Sequence, residues 1–200
     1  MGYFTGKFIS APFIIVLFAV ALNACKENKV IVPVKDDAYF LHAADSVTAK
    51  TFDTLRNTLM RTVKEKGFAG AVEFCNKEAN NLTAVYSSDS VLVKRTSGKV
   101  RNTDNAAGDM EMKVLAAFQQ LKNEKKELKM MIEKDSSGST HVFKPILVQS
   151  MCLNCHGNIN SEIKPETLKA VKQHYPSDSA TGYQEGDLRG MWHVVFREKK

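Results

Sequence analysis

The sequence predicts an α+β protein in which long amphipathic helices precede an antiparallel sheet with interspersed helices. Two observations carry this. Apolar residues recur at spacings of three and four between residues 36 and 82, the helical period. From residue 91 onward, short β-branched or alternating runs are separated by turn residues, close enough in sequence to pair as antiparallel strands. The 200 residues suffice for one domain with a real core.

The N-terminus stands apart. Lys7 precedes the apolar run Phe8 to Leu22, which is shorter than the roughly twenty residues of a permanent span. A charged start and a short apolar stretch read as a secretory signal over residues 1–24. Leu22-Asn23-Ala24-Cys25 resembles a bacterial lipobox, which makes Cys25 the lipidated first residue of the mature chain. Each buried methylene of such an anchor adds about 0.8 kcal/mol. The alternative is a plain signal cleaved near Ala24, leaving Cys25 as a free thiol. Residues 25–36 then read as a lipidated tether and 37–200 as the folded domain. The expected address is the periplasmic side of a bacterial membrane, the outer membrane before the inner. The net charge of +6 is spread along the chain and is no nucleic-acid footprint.

Asp36 to Lys66 reads as a long helix, with Leu41, Ala44, Thr48, Phe52, Leu55, Leu59 and Val63 on one face and Gly67 ending it. Its many threonines weaken its intrinsic propensity, so packing must hold it. Phe68 to Leu82 reads as a second helix whose apolar face carries Val72, Cys75, Ala79 and Leu82. Val91 to Thr96 is a β-branched strand, and residues 97–105 form a polar loop. Asp109 opens a helix presenting Val114, Phe118 and Leu121. The run containing Leu128, Met130 and Ile132, a turn at Asp135 to Gly138 and the strand Thr140 to Val148 make a hairpin. Pro145 places that last strand at an edge or bulge. Pro165 opens a helix that runs through Tyr175 and ends before Pro176. A glycine-rich loop, Gly182 to Gly190, leads to a final strand, Met191 to Phe196.

Between hairpin and last helix lies Cys152-Leu153-Asn154-Cys155-His156, a Cys-x-x-Cys-His motif on a short helix. This is the attachment pattern of c-type haem. Two thiols along one turn add to the haem vinyl groups, and the adjacent imidazole ligates the iron. Structural zinc would need a second ligand pair, and none is present. A thioredoxin-like pair would stand early in its domain, after a strand; this one stands late. The export signal agrees with haem, because bacteria attach it outside the cytoplasmic membrane.

Of the 4 cysteines, Cys25 goes to the lipid and Cys152 and Cys155 to the haem. Cys75 is left without a disulfide partner in an oxidising compartment. Two readings of it stand open: a small buried hydrophobe, or an iron-ligating thiolate opposite His156. Arg95, Arg101, Asn102 and Asn105 are candidates for holding haem propionates, against the alternative of a solvated turn.

Four patches in order resemble the small c-type haem proteins with a PAS-like fold, formerly a domain of unknown function. They are Gly67 to Ala79, Arg95 to Asn105, Phe143 to Gly157, and Tyr183 to Gly190, together spanning about residues 40 to 197. Met110 stands where that family carries an aromatic, and His193 where it carries a small polar residue. The resemblance implies a PAS-like sheet, one covalent haem c, and iron held by His156 and the Cys75 thiolate.

These expectations make the protein a membrane-anchored mono-haem cytochrome, not an enzyme, that acts as a redox or gas sensor through a protein partner. The alternative is a simple periplasmic electron carrier. A haem enzyme needs an open distal site with acid–base groups, for which His193 or Arg95 would be nominated, and nothing in their context compels it.

Overall fold

In a computed structural model, residues 1–3 and 35–198 are described. All but the first three residues of the signal, the lipobox with Cys25, and all but the last two residues of the tether lie outside them. Residues 35 onward form one compact unit. No helix among the described residues is long and apolar enough to cross a membrane.

The long helix α1 (Asp37–Ala84) is two helical arms meeting at Gly67, which adopts φ 68° and ψ 179°. That combination is open essentially only to glycine, so the expected helix end at Gly67 is a sharp break in a continued helix. Asp36 caps the start, its carboxylate accepting from Tyr39 N at 2.9 Å. The buried threonines do not break the arms because their hydroxyls donate to the preceding turn. Thr48 Oγ1 donates to Ala44 O, Thr51 Oγ1 to Val47 O and Thr62 Oγ1 to Thr58 O, at 2.7, 2.7 and 2.9 Å. Phe52, which the spacing puts on the core face, is 37% exposed.

Four strands follow: β1 (Val91–Thr96), β2 (Met131–Lys134), β3 (Thr140–Leu147) and β4 (Leu188–Phe196), forming one antiparallel sheet in the order β1-β4-β3-β2. The helices α2 (Asp109–Asn123), α3 (Leu153–His156) and α4 (Pro165–His174) are interspersed as expected. The α+β class therefore holds. Two strand starts move. β4 begins at Leu188, because the end of the expected loop pairs with β3 through Ile146↔Gly190 and Leu147↔Leu188. β2 begins at Met131, where its pairing with Phe143 begins. Pro145 sits in a strand with neighbours on both sides, yet β2 reaches only Phe143 and the β3–β4 register breaks at Ile146/Leu147. At Pro145 the strand is locally an edge beside a bulge.

The sheet has two differently covered faces, as strand alternation demands. On one, Val93, Val142, Trp192 and Val194 pack with Ala44 and the first arm of α1. On the other, Phe143 and Met191 pack with Val114, Leu115 and Phe118 of α2. At the end of the sheet where β1 finishes and β4 begins, the second arm of α1, α3 and α4 close around a cleft.

Candidate functional site

The break at Gly67 lets both arms of α1 wall this cleft: Leu59 and Val63 come from the first arm, Val72 and Cys75 from the second. Two adjoining cavities of about 230 Å³ each occupy it. Both touch Cys75, Arg95, Cys152, His156 and Arg189; Cys155, Arg101 and Asn102 line one, and Trp192 the other. Together they reach the roughly 300–1,000 Å³ of ligand pockets. The motif thiols, the motif imidazole and the solitary Cys75 are thus brought to one space, although Cys75 lies about eighty residues earlier in the chain.

The motif helix is held by the segment that follows α4. Tyr183 N donates to His156 O at 3.0 Å and Gly182 N to Gly157 O at 2.8 Å. Gly157 cannot be larger, since a Cβ there would lie 2.7 Å from Leu153 O. His156 Nδ1 stands 2.7 Å from Ala180 O. A carbonyl only accepts, so Nδ1 carries the hydrogen. Burial, with the Arg101 and Arg189 guanidiniums nearby, keeps the imidazole well below the ordinary histidine range. A neutral ring protonated at Nδ1 leaves a bare lone pair on Nε2, the form that binds a metal.

Arg101 stands behind the motif. Its guanidinium pairs with Asp178 (Nε to Oδ1 3.1 Å) and donates through Nη2 to Cys155 O at 2.6 Å and Ala180 O at 3.4 Å. These bonds, all from Nε and Nη2, fix the motif and the carbonyl that orients His156 while Arg101 also lines the cleft. Asn102 Oδ1 caps the turn Thr103–Asn105 by accepting from Asp104 N at 3.0 Å. Asn105 bonds Asn80, Nδ2 to Oδ1, at 3.3 Å.

Arg95 differs from both. It projects from β1 with its guanidinium 5.9 Å from the Trp192 ring centroid, and its one hydrogen bond among the described residues is a 3.4 Å contact to Ala79 O. Its Nε is buried without a partner among the described residues. A buried guanidinium with an unmet donor is costly unless an acceptor is supplied to it. Arg189 is a second cation on this wall and went unremarked in the sequence, as did Asp178. Arg189 Nη1 donates to Ser97 Oγ and Lys99 O, both at 2.9 Å. A glycine-rich loop hides such a role, because only the fold brings Arg189 beside β1.

The thiols carry no disulfide. Burial pushes the Cys155 thiol up to about 11 against the pull of Arg101. Burial likewise raises Cys75, with Arg95 and Arg101 opposing it. Without a metal these are protonated thiols in an apolar wall. Their reactivity depends on what enters the cleft.

The fold and site define a class: an α+β fold whose end-of-sheet cleft gathers thiols, a neutral imidazole and a guanidinium with an unmet donor. The chain belongs to the Tll0287-like family, whose sequence profile matches residues 30–197. No curated protein matches it. Among solved structures it is similar to the cyanobacterial heme-protein Tll0287, at 21% identity and a TM-score of 0.57, covering 82% of this chain and 99% of that one.

Proposed function

We propose that the cleft holds one covalent haem c and that the protein senses redox state or a small gas. The observation that carries this is the convergence of Cys152, Cys155, His156 and Cys75 on the cavities that Arg95 also lines. The residues fit the group. Cys152 and Cys155 would take the vinyl carbons as thioethers, His156 Nε2 would bind the iron, and the Cys75 thiolate would be its second ligand. Arg95 would receive a propionate, and Arg101, through Asp178 and Ala180, would hold the motif in place. The related Tll0287 is a heme-protein, which supports the same reading for this chain.

A bound haem would supply reversible one-electron chemistry and an iron able to take a diatomic gas. A thiolate ligand donates charge and favours the ferric state. Cys75 sits on the arm of α1 beyond Gly67, so whether its sulfur is bound or free bears directly on that arm. With two protein ligands the site suits binding and not turnover. On this reading the domain hangs from a bacterial membrane by lipidated Cys25, on the periplasmic side, and passes its state to a protein partner. Absorption and EPR spectra of the oxidised and reduced protein, with and without CO or NO, test it. Gas binding on reduction, with a changed spectrum in Cys75→Ala, is the expected result. Identical ligation in both oxidation states and no gas binding would leave an electron carrier.

A further inference from the structure

The opposite face of the sheet carries a chain of four ionisable groups unrelated to the cleft. Asp135 Oδ2 lies 3.0 Å from His141 Nε2, His141 Nδ1 lies 2.8 Å from His193 Nε2, and His193 Nδ1 lies 2.6 Å from Glu111 Oε1. The groups come from the β2–β3 turn, β3, β4 and α2 in that order. Both histidines are buried, at 8% and 5% exposure, and Glu111 is 3% exposed. His193 stacks on Phe143 with ring centroids 4.4 Å apart.

Counting hydrogens fixes what this chain must contain. Each of the three contacts is short enough to require a hydrogen between its heavy atoms. The two carboxylates are held ionised. Asp135 also accepts at Oδ1 from Ser137 N and Ser139 N at 2.8 and 3.0 Å. Glu111 accepts from Gly108 N at 2.8 Å and pairs with Lys94 Nζ at 2.7 Å. Each carboxylate therefore takes an imidazole N–H, from His141 Nε2 and from His193 Nδ1. Two neutral rings are then exhausted. His141 Nδ1 and His193 Nε2 would face each other at 2.8 Å with two lone pairs and no hydrogen.

We propose that this gap between His141 Nδ1 and His193 Nε2 is a binding site for a single proton, shared as an imidazole–imidazolium pair and fixed by a carboxylate at each end. With that proton all three contacts are hydrogen bonds. Two carboxylates, one imidazolium and the Lys94 ammonium then sum to zero charge. Without it the lone pairs repel, and one contact in the chain must open. The chain fastens α2 to the middle of the sheet, so losing the proton loosens α2. The other charged groups facing it are Glu133, opposite His141 in the β2–β3 register, and Glu198, whose carboxylate overlies Gly138 of the same turn. Burial works against the imidazolium at His193 and Glu111 supports it, while Lys94 and His141 oppose it, so the ring lies below the ordinary histidine range and can give the proton up. Access runs through the two ends, where the side chains of Asp135 and Lys94 are 29% and 43% exposed.

The site needs no cofactor and can be tested in the full chain with 15N-labelled histidine rings. Ring-nitrogen shifts followed from pH 5 to 9 should show His141 and His193 moving together in one shared step worth one proton for the pair, with Nε2 of His141 and Nδ1 of His193 protonated throughout. His141→Asn assigns the signals and should abolish the shared step while the signals of the histidines outside the pair are unchanged. Two independent one-proton titrations, or two rings that remain neutral across the whole range, would overturn the proposal. The measurement on the unaltered chain decides this even if the variant does not fold.

Discussion

The two faces of the sheet solve the problem of buried polar groups in opposite ways. Toward α2, every member of the Asp135–His141–His193–Glu111 chain has a partner, and the surrounding Phe118, Phe143 and Met191 are fully buried. Toward the cleft, Arg95 keeps a buried Nε without an acceptor, beside cavities that side chains do not fill. Native interiors rarely leave such groups unpaired. The saturated face is finished by the chain itself, whereas the unsaturated one is shaped for something the chain does not supply.

This contrast can be pressed from either side. On the closed face, Phe118→Ala removes a ring with 0% exposure and should destabilise the fold by about 3–5 kcal/mol. Urea unfolding would measure this, with cofactor spectra of the folded protein unchanged. A smaller loss, comparable to a surface substitution, would mean that α2 is not packed as described.

Acid should attack the same face next. Hydrogen bonds from His193, Lys94 and Gly108 hold the Glu111 carboxyl down at about 2, despite its burial. The unfolded chain, with this group near 4.5, then binds more protons between those values, so stability rises with pH across that window. It should be complete above about 4.5 and fall by about 3 kcal/mol on acidification towards about 2. Glu111→Gln should flatten that portion of the stability curve in pH-dependent denaturation.

On the open face the smallest effect is the most telling. Arg95→Met removes a guanidinium with an unmet donor, so the cofactor-free protein should lose no stability and should gain up to about 1–3 kcal/mol. The cofactor-loaded protein should lose stability by a similar amount, because the anion's partner is gone. Parallel denaturant titrations of both forms check for this reversal of sign. The same sign in both would make Arg95 an ordinary core residue.

What the sequence disclosed follows the same division. Periodicity found the helices, the strands and Gly67, because a helical stripe and a β-branched run are local. The motif from Cys152 to His156 was legible for the same reason; cysteine arithmetic singled out Cys75 but left it between a buried hydrophobe and a ligand. Arg189, Asp178 and the His141–His193 contact were not legible. Each depends on register between β1, β4 and β3, or on a loop folding back over the motif, and no local spacing encodes that. Arg101 shows the limit well. Its position near the site was foreseen, but its pairing with Asp178, far along the chain, sets its task.

The most direct test of the central reading is the intact mass of the chain, measured under denaturing conditions after expression with bacterial haem-attachment machinery. The account predicts a chain heavier by one haem that survives denaturation, with that increment lost when Cys152 and Cys155 are both replaced by alanine. An unmodified mass from the natural sequence, under conditions where a known c-type cytochrome acquires its haem, would contradict it.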